Sequence, residues 1–249
     1  MIWKLLKYKS YTGDFNMDFD IKLARECGNE TAFLRFYRWE PYCISLGANQ
    51  KPEELNADKI SSDGLEYVKR PTGGRAILHA EELTYSVIIP TASGLGSKEI
   101  YKNVSEGLVK GLLLYDGNLN GVELESEQPD FGKLLNKPSG SLCFASTAKS
   151  EVKYKGKKLI GSAQRKLNNA ILQHGSILCG KFHTKLPEYL NISEEEKTNL
   201  YNELSEKTTE IETILKYKTD YVKLQDCLIT GLTETMNLEF VYEKELEIK

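Results

Sequence analysis

Several things are scarce in this chain, and each absence removes a class of function. No run of eighteen or more apolar residues occurs, so nothing reads as a membrane-spanning helix. There is no basic excess: 33 Lys and Arg face 36 Asp and Glu, a net charge of -3, whereas nucleic-acid binders usually carry a clear positive surplus. The five cysteines, Cys27, Cys43, Cys143, Cys179 and Cys227, are odd in number and form no CxxC pair. Neither a disulfide framework nor a zinc site is indicated. Three histidines spread along the chain give no metal-ligand spacing, and no metal or other cofactor is expected. The N-terminal stretch "MIWKLLKYKSYTGD" lacks a long apolar core and a small-residue cleavage site. The reading is a cytoplasmic protein, monomeric by default, that binds no nucleic acid and no membrane.

What is present is a chain of 249 residues, 40% hydrophobic, enough for a large core. Trp3–Lys9 predicts a short strand. Asp14 reads as an N-cap for a helix with Met17, Ile21 and Ala24 at helical spacing, ended by Gly28. Thr31–Trp39 and Pro41–Leu46 are aromatic and β-branched and predict strands, and Pro52 opens a predicted helix to about Ser61. Glu66–Arg70 and Leu83–Ile89 predict strands on either side of "RPTGGRAILHAE". Ser97 reads as the cap of a helix striped by Ile100, Val104, Leu108 and Leu112, and Gly121–Ser126 as a strand. From Ser150 to Leu178 the pattern predicts antiparallel strands with a turn at Lys155-Gly156. Beyond about residue 185 the chain turns helical, the last helix striped by Val222, Cys227, Leu228 and Leu232, before a strand at Glu239–Tyr242. Without linkers, repeats or low-complexity tracts, residues 1–249 read as one α+β domain on a mixed, largely antiparallel sheet with flanking helices.

Three stretches carry residues suited to chemistry. In "RPTGGRAILH", Gly73 and Gly74 permit positive φ and close backbone approach, while Arg70 and Arg75 add fixed charge and His79 a donor or acceptor. The plain alternative is a β-hairpin turn with solvated arginines. Cys143 lies between the loop "NKPSGS" and a lysine-dense pair of strands rather than in an apolar run. A thiol is mostly protonated at neutral pH, and a nearby ammonium favours the thiolate. Lys157 and Lys158 are adjacent, so strand alternation aims at most one of them into a site. The other, with Lys149, Lys153 and Lys155, reads as solvated. His174 in "LQHGSIL" has the ordinary reading of a satisfied core histidine.

Taken in order, "RPTGGRAILHAEELTYSV", "CFASTAKSEVKYKGKKLIGSAQRK" and "LQHGSIL" resemble the biotin/lipoate protein ligase catalytic-domain family, nearest its cysteine-dependent octanoyltransferase branch. The upstream "DFNMDFDIKLA" is similar to that family's helical pattern. The resemblance implies transfer of an octanoyl group from octanoyl-acyl carrier protein to a lysine of a lipoyl domain, commonly the glycine cleavage H protein. It further implies Cys143 as the acyl-thioester nucleophile and Lys158 as the lysine that lowers the thiol's pKa. Arg70, Gly73, Gly74 and His79 match the loop that encloses the acyl chain and its carbonyl end, with Arg75, Gly161, Ser162, Ala163 and His174 as further substrate-binding positions. The sequence departs from the pattern at Ala80, where an acidic residue often follows the motif histidine, and in "STAKSE", which replaces a more aromatic approach to a glutamate.

Rival readings on the same scaffold are an ATP-dependent lipoate or octanoate ligase, which usually has a third glycine where Arg75 stands, and an amidotransferase that takes octanoyl from one lipoyl domain to another. A non-catalytic adaptor is the rival from another class. Cys143 together with Lys158 argues against the last.

Overall fold

The computed structural model describes residues 1–125 and 150–243. In chain order the strands are β1 (Ile2–Leu6), β2 (Lys9–Tyr11), β3 (Thr31–Trp39), β4 (Cys43–Leu46), β5 (Glu66–Lys69), β6 (Ile77–His79), β7 (Glu82–Pro90), β8 (Val122–Leu124), β9 (Val152–Tyr154), β10 (Lys157–Leu167), β11 (Ala170–Leu178) and β12 (Phe240–Glu243). The helices are α1 (Gly13–Glu26), α2 (Ala57–Ser62), α3 (Ser97–Tyr115), α4 (Glu194–Lys207), α5 (Ile211–Leu215) and α6 (Tyr221–Met236).

The larger sheet runs β12-β1-β3-β7-β11-β10-β9-β8, with β2 also paired to β3. Its middle is antiparallel from β3 to β8, while β1 pairs parallel with both β3 and β12. A second sheet, β5-β4-β6, stands apart from it. The fold is therefore α+β with a mixed, largely antiparallel sheet. Residues of β7 and β11 are buried throughout, as expected for central strands covered on both faces. On one face α3 and α6 pack together over a core that includes Val87, Ile89, Ile160 and Ile177. The predicted α3 stripe Ile100, Val104, Leu108 and Leu112 is wholly buried there.

The β9-β10 turn falls where the sequence puts it, with Lys155 and Gly156 both at positive φ (48° and 79°). Other expectations need correction. The N-cap of α1 is Thr12, whose hydroxyl accepts from the Phe15 amide; Asp14 lies inside the first turn. Helix α3 has Gly96 at its N-cap and Ser97 as its first residue, with no side-chain cap. The first strand ends at Leu6 and a separate short strand starts at Lys9. The predicted Pro52 helix is a 3-10 turn, Pro52–Glu54, followed by α2. Val222 is exposed on α6, and Leu224 takes its place in the stripe. In α1 the inward face carries Asn16 and Asp20 beside Met17 and Leu23, while Ile21 is half-buried. That face escaped an apolar-spacing reading because it buries polar side chains. No helix among the described residues is long and apolar enough to cross a membrane.

Candidate active site

The stretch "RPTGGRAILHAE" is not a hairpin. Its flanking strands β5 and β7 belong to different sheets, and it contains β6, which pairs antiparallel with β4. Arg70 organises the loop from within. Its guanidinium, buried, donates to the Ser45 carbonyl (2.8 Å) and hydroxyl (3.0 Å) and to the carbonyls of Gly73 (3.0 Å) and Arg75 (2.7 Å). Outside contacts hold the loop too: Thr72 Oγ1 lies 2.7 Å from His174 Nε2, and Arg165 donates to the Pro71 carbonyl. Gly74 has φ 94°, and a Cβ on Gly47 would sit 2.0 Å from the Gly74 oxygen. The two glycines thus allow an approach no side chain permits.

Between the loop, the small sheet and the large sheet runs a narrow slot. Six of the sequence-designated residues meet in its wall: Arg70, His79, Gly161, Ser162, Ala163 and His174. Ser45, Trp39, Thr84 and Ser176 join them. The slot is a narrow cavity of about 20 Å³. That is room for one or two waters. Gly175 keeps it open: a Cβ there would lie 2.6 Å from the Gly161 oxygen and 2.7 Å from the Tyr85 ring. Gly73, Gly74 and Arg75 do not line the slot. Gly73 and Gly74 are exposed, and the Gly73 and Arg75 carbonyls serve Arg70.

Two buried polar networks flank the slot. In the first, His79 Nε2 meets Ser45 Oγ (2.7 Å) and His79 Nδ1 meets Glu82 Oε1 (2.8 Å), an oxygen that also accepts from Thr84 (2.6 Å) and Ser176 (2.8 Å). The Trp39 indole stacks on the His79 ring at 4.1 Å and donates to Thr84 Oγ1 (2.7 Å). Burial would raise the Glu82 carboxyl, but the His79 charge and these hydrogen bonds outweigh it and hold the pKa below the usual range. Glu82 thus supplies the acid that Ala80 does not. In the second network Arg35 donates to Asp20 Oδ1 (2.9 Å) and to Asn16 Oδ1 (2.8 Å), and His174 Nδ1 stands 3.5 Å from Asp20 Oδ2. Burial again opposes ionisation of Asp20, but Arg35 and His174 overcome it and keep the pKa low. Burial lowers the His174 pKa, more than Asp20 restores it.

Lys158 is the second residue of β10, three residues before Gly161, about 10 Å along the strand. Its ammonium is buried and lies 3.0 Å from Glu151 Oε1. Lys157, its neighbour, points the other way: exposed, it reaches the Ser205 carbonyl (3.4 Å) and lines a separate, wide cleft of about 900 Å³ with Lys181, Lys185, Glu81, Glu188 and Glu210. The chain after α4 is tied to the same strand, since the Thr209 amide donates to the Lys158 carbonyl (3.0 Å). Lys153 is ion-paired to Glu125, and Lys155 sits over the Tyr154 ring (5.4 Å). Cys143 and Lys149 lie outside the described residues. Of the other four cysteines, Cys27, Cys43 and Cys179 are buried and Cys227 half-buried. Burial pushes all four thiols up, that of Cys179 to about 12. None of the four is a poised nucleophile. Among the described residues no group of three His, Cys, Asp or Glu is arranged to hold a metal ion.

Comparison with known proteins fits this geometry. Residues 12–233 match the model of the lipoyl protein ligase A/B catalytic domain. The chain belongs to this family. An octanoyltransferase LipM from Clostridioides difficile is 39% identical over 98% of this chain and 93% of its own length. The octanoyltransferase LipM of Lysinibacillus sphaericus is 33% identical over 98% of this chain and 92% of its own. Among solved structures, a lipoate-protein ligase A bound with ATP superposes with a TM-score of 0.76 at 19% identity, covering 99% of this chain and 90% of that one. A bi-partite lipoate protein ligase with its E2 lipoyl domain from Thermoplasma acidophilum gives 0.74 at 20% identity, over 99% and 88%. At such identities these two structures speak for the fold alone.

Sequence reasoning did not find Ser45, Thr72, Glu82, Asp20 or Glu151. Glu151 had a signal, a lone acid at the start of a strand pair rich in lysine. The others are joined only by contacts between distant segments.

Proposed function

We propose that this chain is an octanoyltransferase of protein lipoylation, acting as a single catalytic domain and a monomer. It moves an octanoyl group from octanoyl-acyl carrier protein, through a thioester on Cys143, to a lysine amine of a lipoyl domain such as that of the glycine cleavage H protein. The observation that carries the reading is the slot: a narrow, apolar-walled passage between the two sheets, lined by Gly161–Ala163 just beyond Lys158, which has to widen to admit an acyl chain. The names of the relatives, at 33 to 39% identity over nearly the whole chain, support the acyl group chosen.

In the first step the Cys143 sulfur attacks the thioester carbonyl carbon of the carrier-bound octanoyl group, and the carrier's thiol leaves. In the second the acceptor amine attacks the new thioester, an amide forms, and the Cys143 thiol is released. Exchange of one thioester for another is nearly neutral in energy, so loading needs no ATP; amide formation drives the second step. Lys158 contributes a positive charge in a water-poor setting, where it acts more strongly than a surface lysine would. Glu151 holds that ammonium in place. The two polar networks fix the slot walls: His79 is clamped between Ser45 and Glu82 under Trp39, and His174 ties the glycine loop to α1 through Thr72 and Asp20. The protein is mixed with octanoyl carrier protein without ATP or acceptor and weighed intact. A mass gain of one octanoyl group, lost on adding the lipoyl domain, is expected. Transfer only from free octanoate with ATP would reassign the chain to the ligases, and transfer only from an octanoylated lipoyl domain to the amidotransferases.

A further inference from the structure

The slot has two ends. Strands β10, β11, β7 and β3 are successive neighbours in the large sheet, and each lends residues to the wall: Gly161–Ala163, His174–Ser176, Thr84, then Tyr37 and Trp39. At roughly 4.8 Å between strands, three steps make a passage about 14 Å across. One end lies on the strand of Lys158. At the other stands Met17 of α1, buried and packed with Tyr37, Trp39, Cys43 and Val68.

The side chains around Met17 are held. Trp39 is hydrogen-bonded to Thr84 and stacked on His79, and the Tyr37 ring lies under the Arg35 guanidinium at 3.9 Å. Met17 differs in kind. It is unbranched, with three rotatable bonds and a polarizable thioether, the side chain best able to re-pack around an incoming chain. The hydroxyls and imidazole that reach the slot nearby are engaged with one another, through Ser45–His79, Thr84–Glu82 and Ser176–Glu82. A chain with a polar tip would lose its water there without gaining those partners.

From this we infer that Met17 sets the length of the acyl chain: it forms the adjustable floor, backed by Tyr37 and Trp39, against which the terminal methyl of a straight, saturated, medium-length chain rests. The inference rests on the acyl-transfer reading above. Asp20, one helical turn on, anchors α1 to Arg35 and so fixes the height of that floor relative to the sheet.

The test is a competition among hexanoyl-, octanoyl-, decanoyl- and dodecanoyl-carrier proteins, with kcat/KM ratios measured in the wild type, Met17→Ala and Met17→Phe. A methylene moved from water to an apolar wall is worth about fourfold. Alanine clears three heavy atoms, so the decanoyl-to-octanoyl ratio should rise about tenfold; phenylalanine should raise the hexanoyl-to-octanoyl ratio by a similar factor. Each ratio is taken within one variant, so a loss of folded protein lowers both rates and leaves it unmoved. Met17→Leu and Met17→Val give milder, graded steps. Ile100→Ala, a cavity in the core beneath α3, should leave the ratios at the wild-type value. Ratios within twofold of wild type in both Met17→Ala and Met17→Phe, with wild-type octanoyl transfer intact, would overturn the role of Met17 and spare the acyl-transfer reading. Absence of wild-type transfer from every chain length would overturn both.

Discussion

Lys157 and Lys158 are chemically identical neighbours, yet one faces a wide cleft of about 900 Å³ and the other is buried against Glu151 beside a slot too tight for more than a water or two. Strand alternation separates them, and burial gives them different work. The wide cleft is lined by charged side chains of both signs, among them Lys157, Lys181, Lys185, Glu81 and Glu188. The narrow slot gathers six of the designated residues and is flanked by two buried polar networks. Size is a poor guide to function here; what distinguishes the slot is the cost already met in burying charge around it.

The largest effect should follow from cutting the buried lysine. Lys158→Ala should slow acyl transfer at least about 100-fold, the scale of losing one preorganised charge at a reacting centre. It should also destabilise the fold by about 3–5 kcal/mol, because Glu151 is left buried without this partner. Urea unfolding with a transfer assay separates the two losses. Replacing the pair together, Lys158→Met with Glu151→Leu, should recover stability to within about 1 kcal/mol of wild type while transfer stays lost. Recovery of both would make the pair purely structural.

Acid should act next, through the histidine at the slot wall. The His174 pKa is lowered below its ordinary 6.5, so as pH falls the unfolded chain takes up this proton first. Stability that is complete above 6.5 is therefore lost as pH drops toward the folded value. Asp20 and Glu82, both held low, add a second loss only as pH falls through their own folded values, below 3.8 and 4.5. Thermal melts across this range should show two descending stages, and His174→Gln should shrink the upper one, leaving the share of His183, whose pKa burial also lowers. An unchanged upper stage in that variant would assign it elsewhere.

Lys157→Ala should do least: less than threefold on transfer and within about 0.5 kcal/mol on stability, as for other surface charges. Equal effects at Lys157 and Lys158 would erase the contrast between the two faces of β10.

How much of this was legible beforehand depends on whether the information is local. The β9-β10 turn, the α3 stripe and the β10-β11 pair follow from periodicity and from glycine at a positive-φ turn, and all are where the sequence places them. Arg70, His79, His174 and Gly161–Ala163 were marked by motif and do converge. Gly73, Gly74 and Arg75 were marked with them, but sequence adjacency does not carry direction, and the loop turns them away from the slot wall. Asn16 and Asp20 look like solvent-facing positions of an amphipathic helix until Arg35, on β3, is seen to donate to both. The Ser45–His79–Glu82 cluster joins two sheets whose strands share no local pattern. The 3-10 stretch Phe182–Tyr189, interrupted by Pro187, has no 3.6-residue period to detect.

The most direct test of the account is the fate of the thiol at position 143. Octanoyl carrier protein without acceptor should leave one hydroxylamine-labile octanoyl group on the protein, mapped by peptide mass to Cys143. Cys143→Ser should abolish both the adduct and the transfer, while Cys27, Cys43, Cys179 and Cys227, with their raised thiols, should each tolerate alanine at a packing cost of about 1 kcal/mol. Full transfer by Cys143→Ser, or an octanoyl thioester mapped to any of the other four, would contradict it.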